Sequence, residues 1–400
     1  MKVFVFKSII LIGIFLCTST AFYGQEASNK EPIKNKYRFI DLRSHFGTYL
    51  KSAGKSSEAF QKSYTSFEAR YGWQTDKEDE WQSRYYYPTY GIGGYIGFLN
   101  GAALFGNPAA LYGFIDFPLT RQKRNTLNLS VNFGLSYRLN PYKLSVNPGL
   151  DTIGARLGIY FSLNLNWVYK LNRETDLLYG IDLTHFSNGR TVTPNFGINM
   201  YALNLGIRYN FNLAQKKADP ERIYPQNMLL ARPNRVKYNR KIKTKEHSIE
   251  LYQAFGTVQN KMDAGTSNRY YTSSTVLDYA YRFSEAGRIN AGFDFFIDGS
   301  TAAFLGQKEN NINNISYLGI HGGYDFSFSQ FMIRFQMGTY LKQGVVYKGN
   351  FYMRPAFRWE PRKQMFFVQL GLKSLNGIVS DWIEYGIGFK LYKKKVPLKI

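Results

Sequence analysis

The chain has a single cysteine, Cys17, inside its first apolar stretch, so nothing downstream can form a disulfide or a thiolate metal site. Long hydrophobic runs are also missing. Beyond the first two dozen residues no stretch approaches the roughly 20 apolar residues that a helix needs to cross a bilayer. The mean hydropathy is negative, which excludes a bundle of transmembrane helices. Acidic residues are few: 28 Asp and Glu stand against 51 Lys and Arg, for a formal net charge of +23. Histidine is scarcer still, and three of the 4, His45, His247 and His321, have no spacing that suggests metal ligation. No motif calls for a cofactor. Gly91-Ile92-Gly93-Gly94 lacks the strand-to-helix setting and the lysine of a phosphate loop, and reads as glycine in a curved sheet.

What the chain does have begins with an export signal. Lys2 and Lys7 bracket the start of an apolar run over residues 8–17, too short for a stable span, followed by Thr18, Ser19 and Thr20. This layout predicts a secretory signal peptide over residues 1–24, cut between Ala21 and Ala27 and taking Cys17 with it. A lipoprotein signal fits less well, because Ile14, Phe15 and Leu16 are bulkier than the small residues expected before an acylated cysteine. Export argues against nucleic acid as the partner of the positive charge and favours anionic lipid headgroups. Part of that charge lies in residues 216–245 and part in residues 390–399, where solvated loops and turns are the plainer reading.

The rest is aromatic and glycine-rich, with 32 Phe, 32 Tyr and 36 Gly in 400 residues, and it alternates. Leu127, Leu129, Val131, Phe133, Leu135 and Tyr137 share one face, with Asn128, Ser130, Asn132, Gly134 and Ser136 on the other. Similar rows run through Ile289, Ala291, Phe293, Phe295 and Ile297, and through Ile383, Tyr385, Ile387, Phe389 and Leu391. A barrel in a membrane turns such rows to lipid and lines its interior with the polar residues. Strands are predicted over residues 36–48, 62–74, 86–99, 109–118, 126–138, 152–170, 174–187 and 198–212. A second series follows over 247–260, 269–283, 286–298, 315–328, 330–341, 350–360, 364–374 and 379–391.

The fold class is therefore all-β, a transmembrane antiparallel β-barrel. A single barrel of about 12 to 16 strands is favoured, because both series alternate alike; the alternative is an eight-stranded barrel plus a second β-rich region. The expected organisation is a signal peptide (1–24), a first barrel portion (35–212), a basic loop or linker with Pro220, Pro225 and Pro233 (213–246), further strands (247–392) and a basic tail (393–400).

One hairpin breaks its own pattern. Leu177, Tyr179, Ile181 and Leu183 lead along one face to His185 and Ser187, and on the next strand Tyr201, Leu203, Leu205, Ile207 and Tyr209 lead back to Asn199. Parity puts His185, Ser187 and Asn199 on the lipid side, and a loop centred near Val192 sets His185 opposite Asn199. Polar residues there fit a hairpin that has simply emerged into the headgroup layer. They also fit a hydrolase in which Ser187 attacks an ester, His185 takes its proton, Asn199 orients the imidazole, and amides around Asn188 and Gly189 hold the oxyanion.

The stretch His185-Phe186-Ser187-Asn188-Gly189 resembles the lipid A 3-O-deacylase (PagL-like)/acyloxyacyl hydrolase family of outer-membrane barrels, whose signature is His-x-Ser-Asn and a small residue, then an acid fourteen positions after the histidine. The resemblance covers residues 35–212 and is closest over 173–212. It implies an eight-stranded core in the bacterial outer membrane, a Ser-His-acid triad on its outer surface, and lipid A or lipopolysaccharide of the outer leaflet as substrate, losing an ester-linked 3-hydroxyacyl chain. Two departures stand out: Asn199 replaces the acid, and the chain runs on from 213 to 400. Asp182 has inward parity and is a poor substitute for the acid.

A different class remains open. Asp182, Asp294, Asp298, Arg156, Arg208, Arg334 and Arg358 have inward parity and would either fill a narrow lumen as ion pairs or line a porin-like channel. A non-catalytic structural barrel is the third reading.

Overall fold

Two-residue alternation decides which side of a strand meets lipid but not which strand pairs with which, and the pairing is what the computed structural model supplies. It describes residues 38–397 except 51–62, 76–79, 101, 121–123, 144, 146–151, 173, 212–243, 285, 305–310, 362–363 and 378. The expected signal peptide and nearly all of the expected linker lie outside the described residues.

Sixteen strands are present among the described residues, close to the sixteen ranges expected. The first eight are β1 (Arg38–Tyr49), β2 (Ser63–Gln74), β3 (Thr89–Leu99), β4 (Gly106–Pro118), β5 (Asn125–Leu139), β6 (Gly158–Lys170), β7 (Thr175–Ser187) and β8 (Ile198–Phe211). The second eight are β9 (Thr244–Val258), β10 (Tyr270–Arg282), β11 (Gly287–Asp298), β12 (Ser316–Phe328), β13 (Phe331–Lys342), β14 (Phe351–Trp359), β15 (Phe366–Leu375) and β16 (Val379–Pro397).

They form not the single barrel favoured from sequence but the alternative given with it, an eight-stranded barrel, β1–β8, and a second β-rich region, β9–β16, which is itself a closed antiparallel barrel of eight strands. β8 returns to β1 with Ile207 opposite Leu42 and Leu203 opposite Phe46. β16 returns to β9 with Phe389 opposite Leu251. An unpaired edge is intolerable in hydrocarbon, and closing eight strands removes it as fully as closing sixteen.

Two boundaries also differ from expectation. Residues 152–157, read as part of a long strand, leave the wall before β6: the Thr152 carbonyl accepts from Gly197 N–H and that of Ile153 from Tyr142 N–H. Arg156 is consequently exposed rather than inside the lumen. At the other end, Lys393, Lys394 and Lys395 face Ser248, His247 and Glu246 across the ladder, so the expected tail is strand through Pro397.

Outward rows such as Leu42 and Phe46 on β1, Leu203, Leu205 and Ile207 on β8, Phe335 and Met337 on β13, and Ile387 and Phe389 on β16 are exposed around both barrels. That much contiguous apolar surface suits lipid and not water.

The inward rows fill the lumens. In the first barrel Arg208 grips Asp41 through Nε at 2.6 Å and Nη2 at 2.9 Å, Arg70 Nη1 reaches Asp116 at 3.3 Å, and His45 Nδ1 lies 2.8 Å from Asp182. In the second, Arg288 Nη1 and Arg358 Nη1 meet Glu250 at 2.7 and 2.5 Å, and Arg334 Nε meets Asp325 at 2.8 Å. His321 lies 2.6 Å from both Asp278 and Asp294. A buried charge stripped of its partner costs about 3–5 kcal/mol, so acids and bases come matched. Eight strands leave an interior just wide enough for such side chains. The purified chain is therefore expected to give no steady conductance in a planar bilayer, and open-pore current steps of porin size would contradict the packed lumens.

The barrels touch at both ends. Call upper the end bearing the β7–β8 and β15–β16 connections, and lower the end bearing the β8 and β16 C-termini. At the lower end the Tyr85 hydroxyl, in a short helix (Glu80–Arg84) and the turn after it, donates to the Ala286 carbonyl, and Trp81 meets the ring of Phe328 at 6.0 Å. At the upper end the β7–β8 loop reaches the second barrel, with Arg190 Nη1 2.8 Å from Asp381. The two therefore stand side by side with the same end up.

Candidate active site on the β7–β8 hairpin

Phe186 fixes the orientation of its neighbours. It is fully buried in the lumen among Tyr160 and Tyr95, with ring centroids 5.4 and 5.8 Å away. With residue 186 held inward, 185 and 187 must point out. On β8 the buried Ile198 and Met200 do the same for Asn199. The register then sets His185 directly opposite Asn199, with Phe186 opposite Ile198.

The side chains meet: His185 Nδ1 lies 2.7 Å from Asn199 Oδ1. An amide oxygen can only accept, so Nδ1 carries the hydrogen and the Nε2 lone pair is left as a base. Ser187 stands one same-face step further up, about 6.6 Å along the strand. It is only 7% exposed, more covered than a lipid-facing parity alone suggests, because it sits where β7 turns into a loop folded against the second barrel. Among the described residues its hydroxyl forms no hydrogen bond with His185.

The turn beyond Ser187 is tightly tied. Asn188 N–H donates to Asn195 Oδ1 at 2.9 Å and its Nδ2 donates to the Val192 carbonyl at 3.0 Å. Thr191 returns two bonds to the Asn188 carbonyl, from N–H at 3.3 Å and Oγ1 at 2.9 Å. Of the two amides considered for an oxyanion, that of Asn188 is thus already engaged. The Gly189 amide, at a φ of +63°, has no partner among the described residues.

Two contributors were not singled out from sequence. Asn195 fixes the Asn188 amide, and no spacing rule points to it. Gly197 has φ of +76°, and a Cβ there would come 2.7 Å from His185 Cε1 and 2.9 Å from the Phe186 carbonyl oxygen. Only glycine leaves the imidazole room; the available clue was a glycine two residues before Asn199 in a polar loop. Asp182, as its parity implied, lies inside the barrel, bonded to His45 and at 3.2 Å to Asn204 Nδ2.

Comparison with known proteins agrees with this division of the chain. The family model described as lipid A 3-O-deacylase (PagL) matches residues 65–208, from β2 into β8, and includes His185, Ser187 and Asn199. The model described as acyloxyacyl hydrolase, C-terminal domain, matches residues 247–394, from β9 into β16. No curated protein matches the chain. Among solved structures it is similar to Neisserial surface protein A, at 11% identity over 44% of this chain and 97% of that one, with a TM-score of 0.30. It is also similar to a mutant of the Rh. blastica porin, at 10% identity over 89% and 99% of the two chains and a TM-score of 0.17. The Pseudomonas putida toluene transporter TodX matches at 9% identity over 90% and 89%, again with a TM-score of 0.17. Superpositions this loose carry no weight on activity.

Proposed function

The chain belongs to the lipid A 3-O-deacylase (PagL)/acyloxyacyl hydrolase family, and from that premise we propose that its first barrel is an outer-membrane serine esterase that removes an ester-linked 3-hydroxyacyl chain from lipid A. The observation that carries the reading is the 2.7 Å bond from His185 Nδ1 to Asn199, which gives the imidazole the tautomer of a general base on the face that also bears Ser187. Bacterial outer-membrane barrels keep their longer connections outside. Apart from 75–88 and the 212–243 link between the barrels, the longer connections, such as 140–157 and 299–315, are at the upper end, against lower turns such as 119–124 and 329–330, which supports an outer-leaflet position for the hairpin, where lipid A is.

In this mechanism Ser187 Oγ attacks the acyl carbonyl as its proton passes to His185 Nε2, and the carbonyl oxygen becomes an oxyanion facing the Gly189 amide. Collapse expels the sugar oxygen, which takes the proton from Nε2. Water then repeats the sequence: its proton goes to Nε2, its oxygen adds to the acyl-serine, and Ser187 leaves with the proton returned, releasing the 3-hydroxy acid. Catalytic hydrogen bonds of this kind tighten when substrate arrives. Asn199 orients the ring without offsetting the charge that His185 acquires. Lipid A from cells producing the wild-type chain is expected to lose one 3-hydroxyacyl mass, and lipid A from cells producing Ser187→Ala is expected to keep it. Intact lipid A with the wild type, or equal loss with both, overturns the proposal.

Asn199→Glu separates orientation from charge. A hydrogen bond to an ionised group is worth about 1 kcal/mol more than a neutral one, so the variant is expected to raise kcat about fivefold with the barrel unchanged. A kcat that drops instead removes Asn199 from the acid's place in the triad.

A further inference from the structure

The chain has two barrels of eight strands but one His-x-Ser. β15 holds in the second barrel the position of β7 in the first. Where β7 ends in Ser187-Asn188-Gly189, β15 ends in Leu375-Asn376-Gly377. Both segments place a glycine at positive φ, Gly377 at +80° and Gly189 at +63°, but the second barrel closes with a short turn where the first has the 188–197 loop, and leucine stands in the place of the nucleophile.

What the second barrel does engage is the loop after Ser187. Arg190 Nη1 bonds Asp381 at 2.8 Å, while Nη2 bonds Ser300 Oγ at 3.1 Å and lies 3.5 Å from Asp298. Those two acids are fully buried and held in turn: Lys348 Nζ reaches Asp298 at 2.6 Å and Asp381 at 2.9 Å, and Lys373 Nζ reaches Asp381 at 2.6 Å. Thr193 forms a second clasp, giving N–H and Oγ1 to Gln259 Oε1 at 2.8 and 3.1 Å and Oγ1 to the Asn260 carbonyl at 2.9 Å. Gln259 cannot swing away, because its Nε2 donates to the Asp263 and Thr266 carbonyls at 2.8 and 3.0 Å. Between the clasps and Ser187, Gly189 lies so close to the outer wall of the second barrel that a Cβ there would collide with the Ile383 side chain.

We propose that the second barrel is a non-hydrolytic clamp in cis, in which Arg190 and Gln259 act as positioning residues that hold the Gly189 amide toward the carbonyl attacked by Ser187. The proposal rests on the esterase reading above. Its physical content is that a loop tied only at its own ends opens locally at little cost, whereas one pinned to a second rigid body does not. A misplacement of about 1 Å at a reacting centre costs about 100-fold in rate.

The test uses the full chain in mixed micelles with lipid A, measuring release of 3-hydroxy acid. Arg190→Ala is expected to lower kcat about 100-fold and to leave KM nearly unchanged, since Arg190 bonds only residues of the second barrel and the outward apolar rows beside the hairpin are untouched. Arg190→Lys is expected to recover at least about tenfold of that loss, because an ammonium still reaches Asp381 but does not fork to Ser300. Hydrogen exchange at the amides of residues 189–193 is expected to quicken in Arg190→Ala while the strands of the first barrel stay protected. Should Arg190→Ala fail to fold, judged by heat-dependent gel mobility, Gln259→Ala carries the same test. Wild-type kcat in these variants beside an inactive Ser187→Ala overturns the clamp and leaves the esterase standing, as does a change confined to KM. Equal activity of the wild type and Ser187→Ala overturns the esterase reading itself.

Discussion

Ser187→Ala is expected to lower kcat for fatty-acid release by at least about 10⁴-fold, with the barrel folded and as stable as the wild type. Removing the nucleophile of a Ser-His pair leaves only the catalysis that oxyanion donors and binding supply to water attack. The loss isolates chemistry because nothing else depends on the hydroxyl. Its backbone pairs with Ile159 whatever the side chain, and no buried partner is left unsatisfied when Oγ is removed. Heat-dependent gel mobility should therefore match the wild type while turnover disappears. Turnover within tenfold of the wild type would move the nucleophile elsewhere.

Gly197→Ala is expected to cost about 100-fold in kcat, although the residue touches no substrate. Its positive φ alone makes alanine unfavourable, by more than the 0.4–1 kcal/mol that glycine usually costs through chain entropy. The larger effect is local. The new methyl group would stand 2.7 Å from His185 Cε1, and the Phe186 carbonyl oxygen at 2.9 Å blocks escape on its other side, so the imidazole must turn off Asn199. Losing the 2.7 Å bond frees the ring to take the wrong tautomer, and displacement by about 1 Å is enough for the stated loss. Kinetics on folded protein check this, and wild-type kcat would mean that His185 works from another rotamer. Gly197→Ser should behave like Gly197→Ala, since the obstacle is the Cβ itself.

Much of the site was legible because a strand has a period of two. Once Leu177 to Leu183 and Tyr201 to Tyr209 are recognised as outward rows, His185, Ser187 and Asn199 fall on one face, and the loop length sets His185 across from Asn199, as the register has it. The same parity put Asp182, Asp294, Arg208, Arg334 and Arg358 inside, where they are found. It failed at Arg156 because alternation there continues past the point where the chain leaves the wall to bond Gly197 and Tyr142. Gly197 and Asn195 were not found, since their roles are a vacancy beside a ring and a side chain capping an amide, neither of which has a periodicity.

The sequence by itself determined a wall of alternating antiparallel strands, the face that most of their residues take, and the placing of His185, Ser187 and Asn199 together on the outward face of one hairpin. Those properties are local, set by the geometry of one strand or one hairpin. Tertiary structure alone decided that the wall closes twice, β8 onto β1 and β16 onto β9, because closure depends on backbone edges that are chemically alike in every strand. It alone also brought Arg190 to Asp381 across 191 residues of sequence, and so joined a second barrel without a nucleophile to the loop that follows Ser187.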